Sequence, residues 1–271
     1  MTQNTTIEND TLPTGRKHVS FSEVKMWKEC SYRHKLTHID KLRLFKPSPV
    51  LSFGTSIHAA CEDFLKTREM KSSIFEETLK KEWETNKEFD EFNQQEFDDC
   101  IKQGNLLLNE IPDALENEFP QWEFVDAEHM LNEQIEGKNT LFKGFIDGVI
   151  KYKKKNKEKI FILDWKTSSR GWFRSKLMDT TAMSQVVYYK YFWSKKTNVP
   201  MTDIKCGYIV LNKSGKIGQK VQFVFISAGE VTVNRSLKVV NNMISTLNKG
   251  IAIKNKSNCT WCEYANTQHC T

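Results

Sequence analysis

The cysteines near the two ends of the sequence constrain the fold more than any other feature. Three of the seven stand close together at the C-terminal end, in Cys259-Thr-Trp-Cys262 and at Cys270. A C-x-x-C pair with a third cysteine directs soft thiolates at one metal centre. The best candidate for a fourth ligand is Cys30, near the other end. If Cys30 joins the other three, the two ends are held together around a metal, and the chain between them folds as a single closed unit.

Composition narrows the class of protein without naming a function. A length of 271 residues with 39% hydrophobic residues suits one large domain or two small ones. The net charge of +6 favours an anionic partner only weakly. The first residues lack the basic start and apolar core of a signal peptide, so we expect none, and no apolar run approaches the roughly 18 residues that span a bilayer. We expect a cytoplasmic protein without a membrane partner, whose cysteines are metal ligands or buried thiols rather than disulfides.

The first half of the sequence is predicted to be helical. Residues 1–18 are polar, lack hydrophobic periodicity and are predicted to be a disordered lead-in. Ser20 and Glu23 form a capping box at the start of the first predicted helix. Residues 72–118 are predicted to be mostly helical, with a break near residues 90–93.

The second half alternates apolar and polar residues as strands do. Strands are predicted over 122–135, 141–152, 159–166, 203–212 and 219–227, with a hairpin turn at 153–157. Helices are predicted over 179–196 and 229–248. The whole pattern indicates an α/β protein.

An acid and a lysine stand together in Ile160-Phe-Ile-Leu-Asp164-Trp-Lys166-Thr. In a strand, residues i and i+2 lie on the same face, so Asp164 and Lys166 project together. The carboxylate can bind Mg²⁺, and the lysine can contact a phosphate or an attacking water. For a D-x-K pattern alone, a surface salt pair on an edge strand is the commoner explanation.

A second acid, Asp147, strengthens the case for a site. It follows Lys143-Gly-Phe-Ile, where antiparallel pairing can bring it close to Asp164. Two opposed carboxylates repel each other unless a cation lies between them. Asp147 could instead be a turn residue beside Gly148, but the surrounding alternation favours a strand.

Two polar pairs at helical spacing can contribute to such a site. His58 and Glu62 share one helix face, as do Gln185 and Tyr189. A lone histidine on a helix is usually a satisfied structural residue. Gln185 and Tyr189 could orient a water or a phosphate, or they could form the polar edge of an amphipathic helix.

Basic and aromatic residues alternate directly after the Asp164 strand. They are Arg170, Trp172, Phe173, Arg174 and Lys176. Basic residues interleaved with aromatic ones suit single-stranded nucleic acid, through phosphate contacts and base stacking. A loop that folds its aromatic side chains back into the core explains the pattern equally well.

The order of these motifs, G-x-x-x-H, G-x-I-D, I-L-D-W-K-T and Q-x-x-x-Y, resembles the PD-(D/E)XK nuclease superfamily. The resemblance is greatest to its RecB-like branch, which includes CRISPR-associated exonucleases with an iron–sulfur cluster. That branch also has an N-terminal cysteine followed by a C-terminal C-x-x-C and one further cysteine. The corresponding residues here are Cys30, Cys259, Cys262 and Cys270.

The resemblance covers residues 20–270 and implies a restriction-endonuclease-like core, with a mixed central β-sheet flanked by helices. It implies a single nuclease domain over residues 19–271. Within this domain we expect a helical N-terminal part, a catalytic sheet core and a cysteine tail that pairs with Cys30. Their ranges are 19–120, 121–248 and 249–271.

The resemblance also implies roles for individual residues. His58, Asp147 and Asp164 would bind Mg²⁺ or Mn²⁺, and Lys166 would position the hydrolytic water and stabilise charge on the phosphate. Gln185 would support catalysis, and Tyr189 would support the site or hold DNA. The four cysteines would hold a [4Fe–4S] cluster. Because Cys262 and Cys270 are spaced more widely than the family pattern, His269 as a substitute ligand and Zn²⁺ as the metal remain alternatives.

The implied function is metal-dependent exonuclease digestion of DNA, with a single-stranded end as the expected substrate. The setting would be recombination, repair or phage DNA metabolism, in the host cytoplasm if a phage encodes the protein, and any helicase would act in trans. One alternative is a structure-specific or restriction-type endonuclease. Another is a nuclease-like module that binds DNA without cleaving it, although every expected catalytic position is filled.

Overall fold

The computed structural model describes residues 11–42 and 46–270, which form an α/β protein as predicted. The helices are α1 (Phe21–Glu29), α2 (Ser31–His34), α3 (Pro49–Thr67), α4 (Ser72–Asn86), α5 (Gln94–Leu108), α6 (Ile111–Glu118), α7 (Arg174–Leu177), α8 (Gln185–Thr197) and α9 (Glu230–Asn248). The strands are β1 (His18–Ser20), β2 (Glu123–Asp126), β3 (His129–Gln134), β4 (Leu141–Ile146), β5 (Gly148–Lys154), β6 (Lys157–Ser168), β7 (Ile204–Asn212) and β8 (Val221–Ile226).

The described chain divides into two compact units. Unit 1 comprises residues 11–42, 130–144 and 230–270, and unit 2 comprises residues 46–129 and 145–229. Among the helices of the described chain, none combines the length and apolarity that crossing a bilayer requires.

The start of unit 1 is more ordered than its polar composition predicts. Of the predicted lead-in, residues 1–10 lie outside the described residues, but residues 11–18 are structured. Leu12 and Thr14 are buried, and the carbonyl of Lys17 accepts the N–H of Leu141. The burial of Leu12 and the hydrogen bond to the distant Leu141 order this segment. Neither feature produces a periodic pattern in the local sequence. The capping box of Ser20 and Glu23 then starts α1, as predicted.

Unit 2 is built on a five-stranded mixed sheet in the order β2-β5-β6-β7-β8. β6 is central: it pairs antiparallel with β5 and parallel with β7. Strands β5 and β6 are joined by a two-residue turn, in which Lys155 and Asn156 both have positive φ. This backbone is that of a tight hairpin turn, and it fixes the β5–β6 register.

Helix α3 packs against this sheet through residues at helical spacing. Phe53, Ile57, Phe64 and Leu65 are buried in one core cluster that also contains Trp165 of β6. Burying each large apolar side chain stabilises the fold by about 1.5–3 kcal/mol. The core therefore holds the polar face of α3, which carries His58, in a fixed place relative to β6.

Two of the predicted strands are each two strands. The stretch 141–152 divides at Asp147 into β4, which pairs with β1, and β5, which pairs with β6. The stretch 122–135 divides into β2 and β3, which belong to different sheets. The alternation of apolar and polar residues continues across both breaks. The sequence pattern therefore does not show that the partner strand changes there.

The helical predictions are closer to the structure. Residues 72–118 form α4, α5 and α6, with the predicted break falling between α4 and α5. The predicted helix over 179–196 begins later, as α8, after a 3₁₀ turn at Ala182–Ser184.

Candidate active site

Strand β6 places an acid and a lysine on one face in unit 2. Asp164 is fully buried, and its Oδ2 contacts the Lys166 Nζ. The residues between and before them, Trp165 and Leu163, point the other way into the core cluster. The alternation of a central strand thus places the acid and the lysine together, as predicted, and the burial of Asp164 excludes a surface salt pair.

Asp147 lies at the bend where β4 ends and β5 begins, and not within a strand as predicted. The β5–β6 register pairs Gly148 with Leu163, so its continuation places Asp147 opposite Asp164. Asp147 Oδ2 accepts the backbone N–H of Trp165 at 2.8 Å. The bend still delivers the second carboxylate to the position that antiparallel pairing predicted.

His58 reaches the same place from α3. Its Nε2 lies 3.0 Å from the carbonyl oxygen of Trp165, and its Nδ1 lies 3.4 Å from Asp147 Oδ2. Because a carbonyl only accepts, Nε2 carries the proton, and in the neutral ring Nδ1 presents a lone pair. Burial lowers the pKa of His58, which favours that neutral form, although Asp164 acts in the opposite direction. A lone pair facing a carboxylate is a place for a cation.

Glu128 is a fourth candidate ligand, which the sequence motifs did not reveal. It lies between β2 and β3 with a φ of 50°. Its carboxylate and the ligand atoms of His58 and Asp147 all lie within 4.8 Å of one another. Burial and repulsion from Glu62 raise the pKa of Glu128. The only sequence signal was an acid within the strand predicted over 122–135, which is too common to select one residue.

These residues fit a divalent metal. Oδ1 of Asp164 is buried and has no hydrogen-bond partner among the described residues. An orphaned buried carboxylate oxygen is costly unless a cation satisfies it. Burial and repulsion from Asp164 also raise the pKa of Asp147 well above its usual range. Carboxylates with one imidazole suit Mg²⁺ or Mn²⁺, which His58, Glu128, Asp147 and Asp164 would hold.

Lys166 remains charged beside these acids. Burial alone would lower the pKa of this lysine, but attraction to Asp164 and Asp147 outweighs it and raises the pKa. The site therefore carries a fixed ammonium group next to the carboxylates that would bind the metal. Such a group can stabilise negative charge that develops on a phosphate.

The predicted pair on α8 lies behind this site. Gln185 Nε2 donates to Tyr189 Oη at 2.9 Å. Tyr189 is 4% exposed, and its pKa is raised by burial and by the nearby charge of Asp164. A buried neutral phenol offers almost no surface to DNA, so its position agrees with support of the site and not with the DNA contact predicted for it.

The basic and aromatic segment 170–176 divides between the two expected arrangements. Trp172 turns inward: its ring centroid lies 4.9 Å from that of Tyr208. Its backbone is held by Gln222, which accepts its N–H at 2.9 Å and donates to its carbonyl at 3.0 Å. Phe173 faces outward and is 63% exposed. An open groove of about 540 Å³ is lined by both aromatic residues together with Arg170.

In unit 1, the four cysteines singled out from the sequence line one cavity of about 260 Å³. Cys30 accepts the N–H of Arg33 at 3.5 Å and that of Asn255 at 3.4 Å, so the segment that carries Cys30 contacts the C-terminal segment. His269 is not among the described residues that line the cavity.

The other cysteines are unlike these four. Cys61, Cys100 and Cys206 are buried, and burial raises the pKa of the Cys100 thiol to about 11 and that of Cys206 to about 12. The described chain has no disulfide. The cysteines thus divide into inert buried thiols and a group of four around a cavity.

With the geometry established, sequence comparison decides the family. A family described as the PD-(D/E)XK nuclease superfamily matches residues 18–267. The chain belongs to the PD-(D/E)XK nuclease superfamily. Nucleases of this superfamily use divalent metals, which agrees with the donor atoms around Asp147. The narrower RecB-like, iron–sulfur branch stays a prediction.

Comparison of folds supports the same assignment. This nuclease is similar to a solved structure from Eubacterium rectale named "Putative exonuclease". The TM-score is 0.56 at 13% sequence identity, over 96% of this chain and 91% of the other. At this identity the likeness establishes the fold alone. Among curated proteins, none matches this chain significantly.

Proposed function

We propose that this nuclease is an Mg²⁺- or Mn²⁺-dependent exonuclease that hydrolyses DNA phosphodiester bonds. The observation that carries the proposal is the convergence of His58, Asp147 and Asp164 on one buried site beside a charged Lys166. A noncatalytic DNA-binding module has no need for a half-buried, charged lysine next to repelling carboxylates. Metal-dependent hydrolysis needs both the charged lysine and the carboxylates.

Each residue has a task that follows from its contacts. When bound, the divalent cation polarises a phosphoryl oxygen and lowers the pKa of its water. Asp147 and Asp164 supply the negative charge that holds the cation, and His58 supplies a neutral nitrogen. Lys166 donates hydrogen bonds to the phosphate as negative charge develops in the transition state. The Gln185–Tyr189 pair supports the site from behind.

The groove lined by residues 170–173, together with the basic residues that follow it, is the proposed contact for the DNA strand. Phe173 presents an exposed ring for base stacking, while Arg170, Arg174 and Lys176 supply positive charge for phosphates. Trp172 points inward toward Tyr208, so its proposed role is to support the groove and not to contact DNA. Weaker binding of single-stranded DNA by Phe173→Ala than by the wild-type chain would support this role.

An exonuclease is preferred to an endonuclease because the similar fold from Eubacterium rectale carries an exonuclease name. Digestion of end-labelled linear DNA, run beside closed circular DNA of the same sequence, tests the choice. An exonuclease shortens the linear molecules from an end and leaves the circles closed. Cleavage of the circles would identify a structure-specific or restriction-type endonuclease. Binding without any cleavage, with Mg²⁺ or Mn²⁺ present, would identify a noncatalytic module.

The proposed setting is recombination, repair or phage DNA metabolism. A chain that prefers a single-stranded end needs another protein to open duplex DNA, so a helicase acting in trans is the expected partner. Digestion of blunt duplex DNA should rise when a DNA helicase and ATP are added. Equal digestion with and without the helicase would remove this partner from the proposal.

We also propose that Cys30, Cys259, Cys262 and Cys270 hold a [4Fe–4S] cluster. All four line one cavity. A tetrahedral zinc site with Zn–S bonds of about 2.3 Å would hold its sulfurs about 3.8 Å apart. Among the described residues, no group of three ligand atoms within 4.8 Å includes a cysteine. That wider spacing favours a cluster over a single ion.

Anaerobic purification tests this cluster. The sample should be brown, absorb near ~400 nm and contain iron and sulfide. A colourless sample with stoichiometric zinc would replace the cluster with the zinc alternative. Either outcome leaves the nuclease proposal intact, because the acidic site contains none of these cysteines.

A further inference from the structure

A second group of ligand atoms lies in unit 1 and is formed by residues other than the cysteines. Glu23 from the first turn of α1, His34 from the end of α2 and His38 bring their ligand atoms within 4.8 Å of one another. Glu23 Oε1 lies 3.5 Å from His34 Nε2 and 3.8 Å from His38 Nδ1. No catalytic task assigned above uses any of these residues.

His34 is the unexplained member of the group. Its side chain is 0% exposed, and neither ring nitrogen has a hydrogen-bond partner among the described residues. Buried polar atoms are nearly always paired, so an orphaned imidazole indicates a missing water or ion. One of its nitrogens faces the only oxygen of Glu23 that the capping box leaves available, since Oε2 accepts the N–H of Ser20.

The backbone around the group is also unusual. His38 lies in a π-helical turn at Lys35–Ile39, which continues directly from α2. Such turns are rare and occur frequently at functional sites. Here the turn brings the His34 and His38 rings to a centroid distance of 4.7 Å. A regular amphipathic helix would have no need for this distortion.

A cationic side chain, that of Arg16, already contacts two of the three members of the group. Arg16 Nη2 donates to Glu23 Oε1 at 2.6 Å and lies 3.0 Å from His38 Nδ1. Because a guanidinium only donates, Nδ1 of His38 must be an unprotonated acceptor. Burial lowers the pKa of His38 to about 4, in agreement with a neutral ring. The side chain of Arg16 is one-third exposed, so it can leave toward solvent.

We propose that Glu23, His34 and His38 form a binding site for a borderline first-row cation such as Zn²⁺, which displaces the guanidinium of Arg16. Two imidazoles and one carboxylate are a donor set that zinc commonly takes. Zinc bonds of about 2.0–2.1 Å give ligand-to-ligand distances near 3.3 Å. The distances from Glu23 Oε1 to His34 Nε2 and to His38 Nδ1 are 3.5 and 3.8 Å, so both are close to what a zinc site needs.

The bound ion would have a structural task. It would fasten the start of α1 to the end of α2 and to the π turn, and Cys30 lies between the first two of these. The site would thus brace the segment that carries one cysteine of the cavity. It needs no substrate and takes no part in hydrolysis.

Zinc counting on the full-length chain tests the site. Chelator-stripped wild-type, His38→Gln, Arg16→Gln and His18→Gln chains are loaded with Zn²⁺, desalted and analysed for metal. His18 lies in the same unit but outside the group, so its variant is the matched control. His38→Gln should bind one Zn²⁺ fewer than the wild type and the control. Zinc at the cysteines and the acidic site contributes equally to all four chains.

The arginine variant separates a metal site from a purely structural network. Arg16→Gln removes the competing cation, so chelator competition should show Zn²⁺ bound roughly tenfold more tightly than in the wild type. A network that only stabilises the fold would lose stability without gaining zinc affinity. Equal zinc counts in wild type and His38→Gln, or unchanged affinity in Arg16→Gln, would overturn the proposal. If circular dichroism shows His38→Gln to be unfolded, the affinity of Arg16→Gln decides alone.

Discussion

The acidic site of unit 2 and the cysteine cavity of unit 1 hold their polar groups in opposite ways. Asp147 and His58 are both fixed by the backbone of Trp165, and Asp164 is fixed by Lys166. The cysteines line a cavity, yet no three of their sulfurs lie within 4.8 Å of one another in the described chain. The first site is organised by protein contacts alone. The sulfurs of the second are not held against one another in this way.

This difference assigns different tasks to the two regions. A site that the protein holds in place before a metal arrives is preorganised, which is what catalysis requires. A cavity lined by thiols from both ends of the chain gains cohesion from its contents, which is what a structural cross-link supplies. Variants in the acidic site should therefore leave the metal content of the cysteine cavity unchanged. Variants in the cavity should leave the Mg²⁺ dependence of cleavage unchanged.

The largest effect is expected for Asp164→Asn. The amide cannot replace the buried carboxylate charge, so Mg²⁺-dependent DNA hydrolysis should fall by roughly 10³-fold or more, about 4 kcal/mol of transition-state stabilisation. The measurement is single-turnover cleavage of end-labelled DNA. The metal content of the cysteine cavity should match the wild type, and loss of both signatures together would break the separation.

Lys166→Ala should come next. Removing one charged donor from the transition state costs roughly 10²–10³-fold in rate. The variant keeps all the carboxylates that would bind the metal. Metal binding should therefore remain while turnover falls. Mg²⁺ titrations of cleavage check this, with Lys66→Ala as the matched control because that lysine pairs with Glu62 at the surface. A loss of Mg²⁺ affinity with unchanged maximal rate would contradict the role of Lys166.

Cys262→Ser tests the other half of the comparison. A cross-link between distant chain segments stabilises a fold by about 2–4 kcal/mol, so Tm should fall by roughly 4–16 °C. The folded fraction should still cleave DNA with the Mg²⁺ dependence of the wild type. Cys206→Ser is the control for replacing a cysteine outside the cavity, because the buried Cys206 thiol lines no part of it. An unchanged Tm for Cys262→Ser would argue against a structural cross-link.

A smaller effect is expected for Glu128→Gln. Glu128 is exposed and lies at the edge of the metal group, so its loss should raise the Mg²⁺ concentration needed for half-maximal cleavage by about tenfold. The maximal rate should change little. Glu133→Gln, at a half-buried acid on β3 outside the group, is the control. Equal Mg²⁺ dependence in the two variants would remove Glu128 from the site.

The smallest effect is a pH dependence of stability. Burial and Asp164 raise the pKa of Asp147, so in the metal-free protein the folded state keeps a proton that the unfolded state loses. The free energy of unfolding should therefore fall as pH rises above the usual carboxyl range, by at most about 1.4 kcal/mol per pH unit. Urea unfolding with a chelator present checks this. Saturating Mg²⁺ and Asp147→Asn should each flatten the slope.

Much of the acidic site follows from short-range rules of sequence. The i, i+2 spacing of Asp164 and Lys166 predicts their shared face, and a tight hairpin predicts that Asp147 lies opposite. Both rules hold because the register of β5 and β6 is set locally by the turn at Lys155 and Asn156. The structure therefore agrees with the sequence where contacts are close along the chain.

The remainder depends on contacts that sequence periodicity does not encode. Alternation runs unbroken through Asp147, yet the chain changes sheets there because β4 pairs with β1, far away in sequence. Glu128 joins His58 only through the fold, since no motif links a residue between two short strands to one on α3. Burial of Tyr189 likewise results from the packing of α8 and cannot be told from its helical spacing.

The most direct test of the central claim is metal-dependent hydrolysis by the wild-type chain. Purified protein is stripped of divalent ions, mixed with end-labelled linear DNA and assayed with chelator, with Mg²⁺ and with Mn²⁺, beside Asp164→Asn. Cleavage should be absent in chelator, restored by either ion, and absent with the variant. Equal cleavage by Asp164→Asn, or cleavage that persists in chelator, would contradict the assignment of hydrolysis to the acidic site.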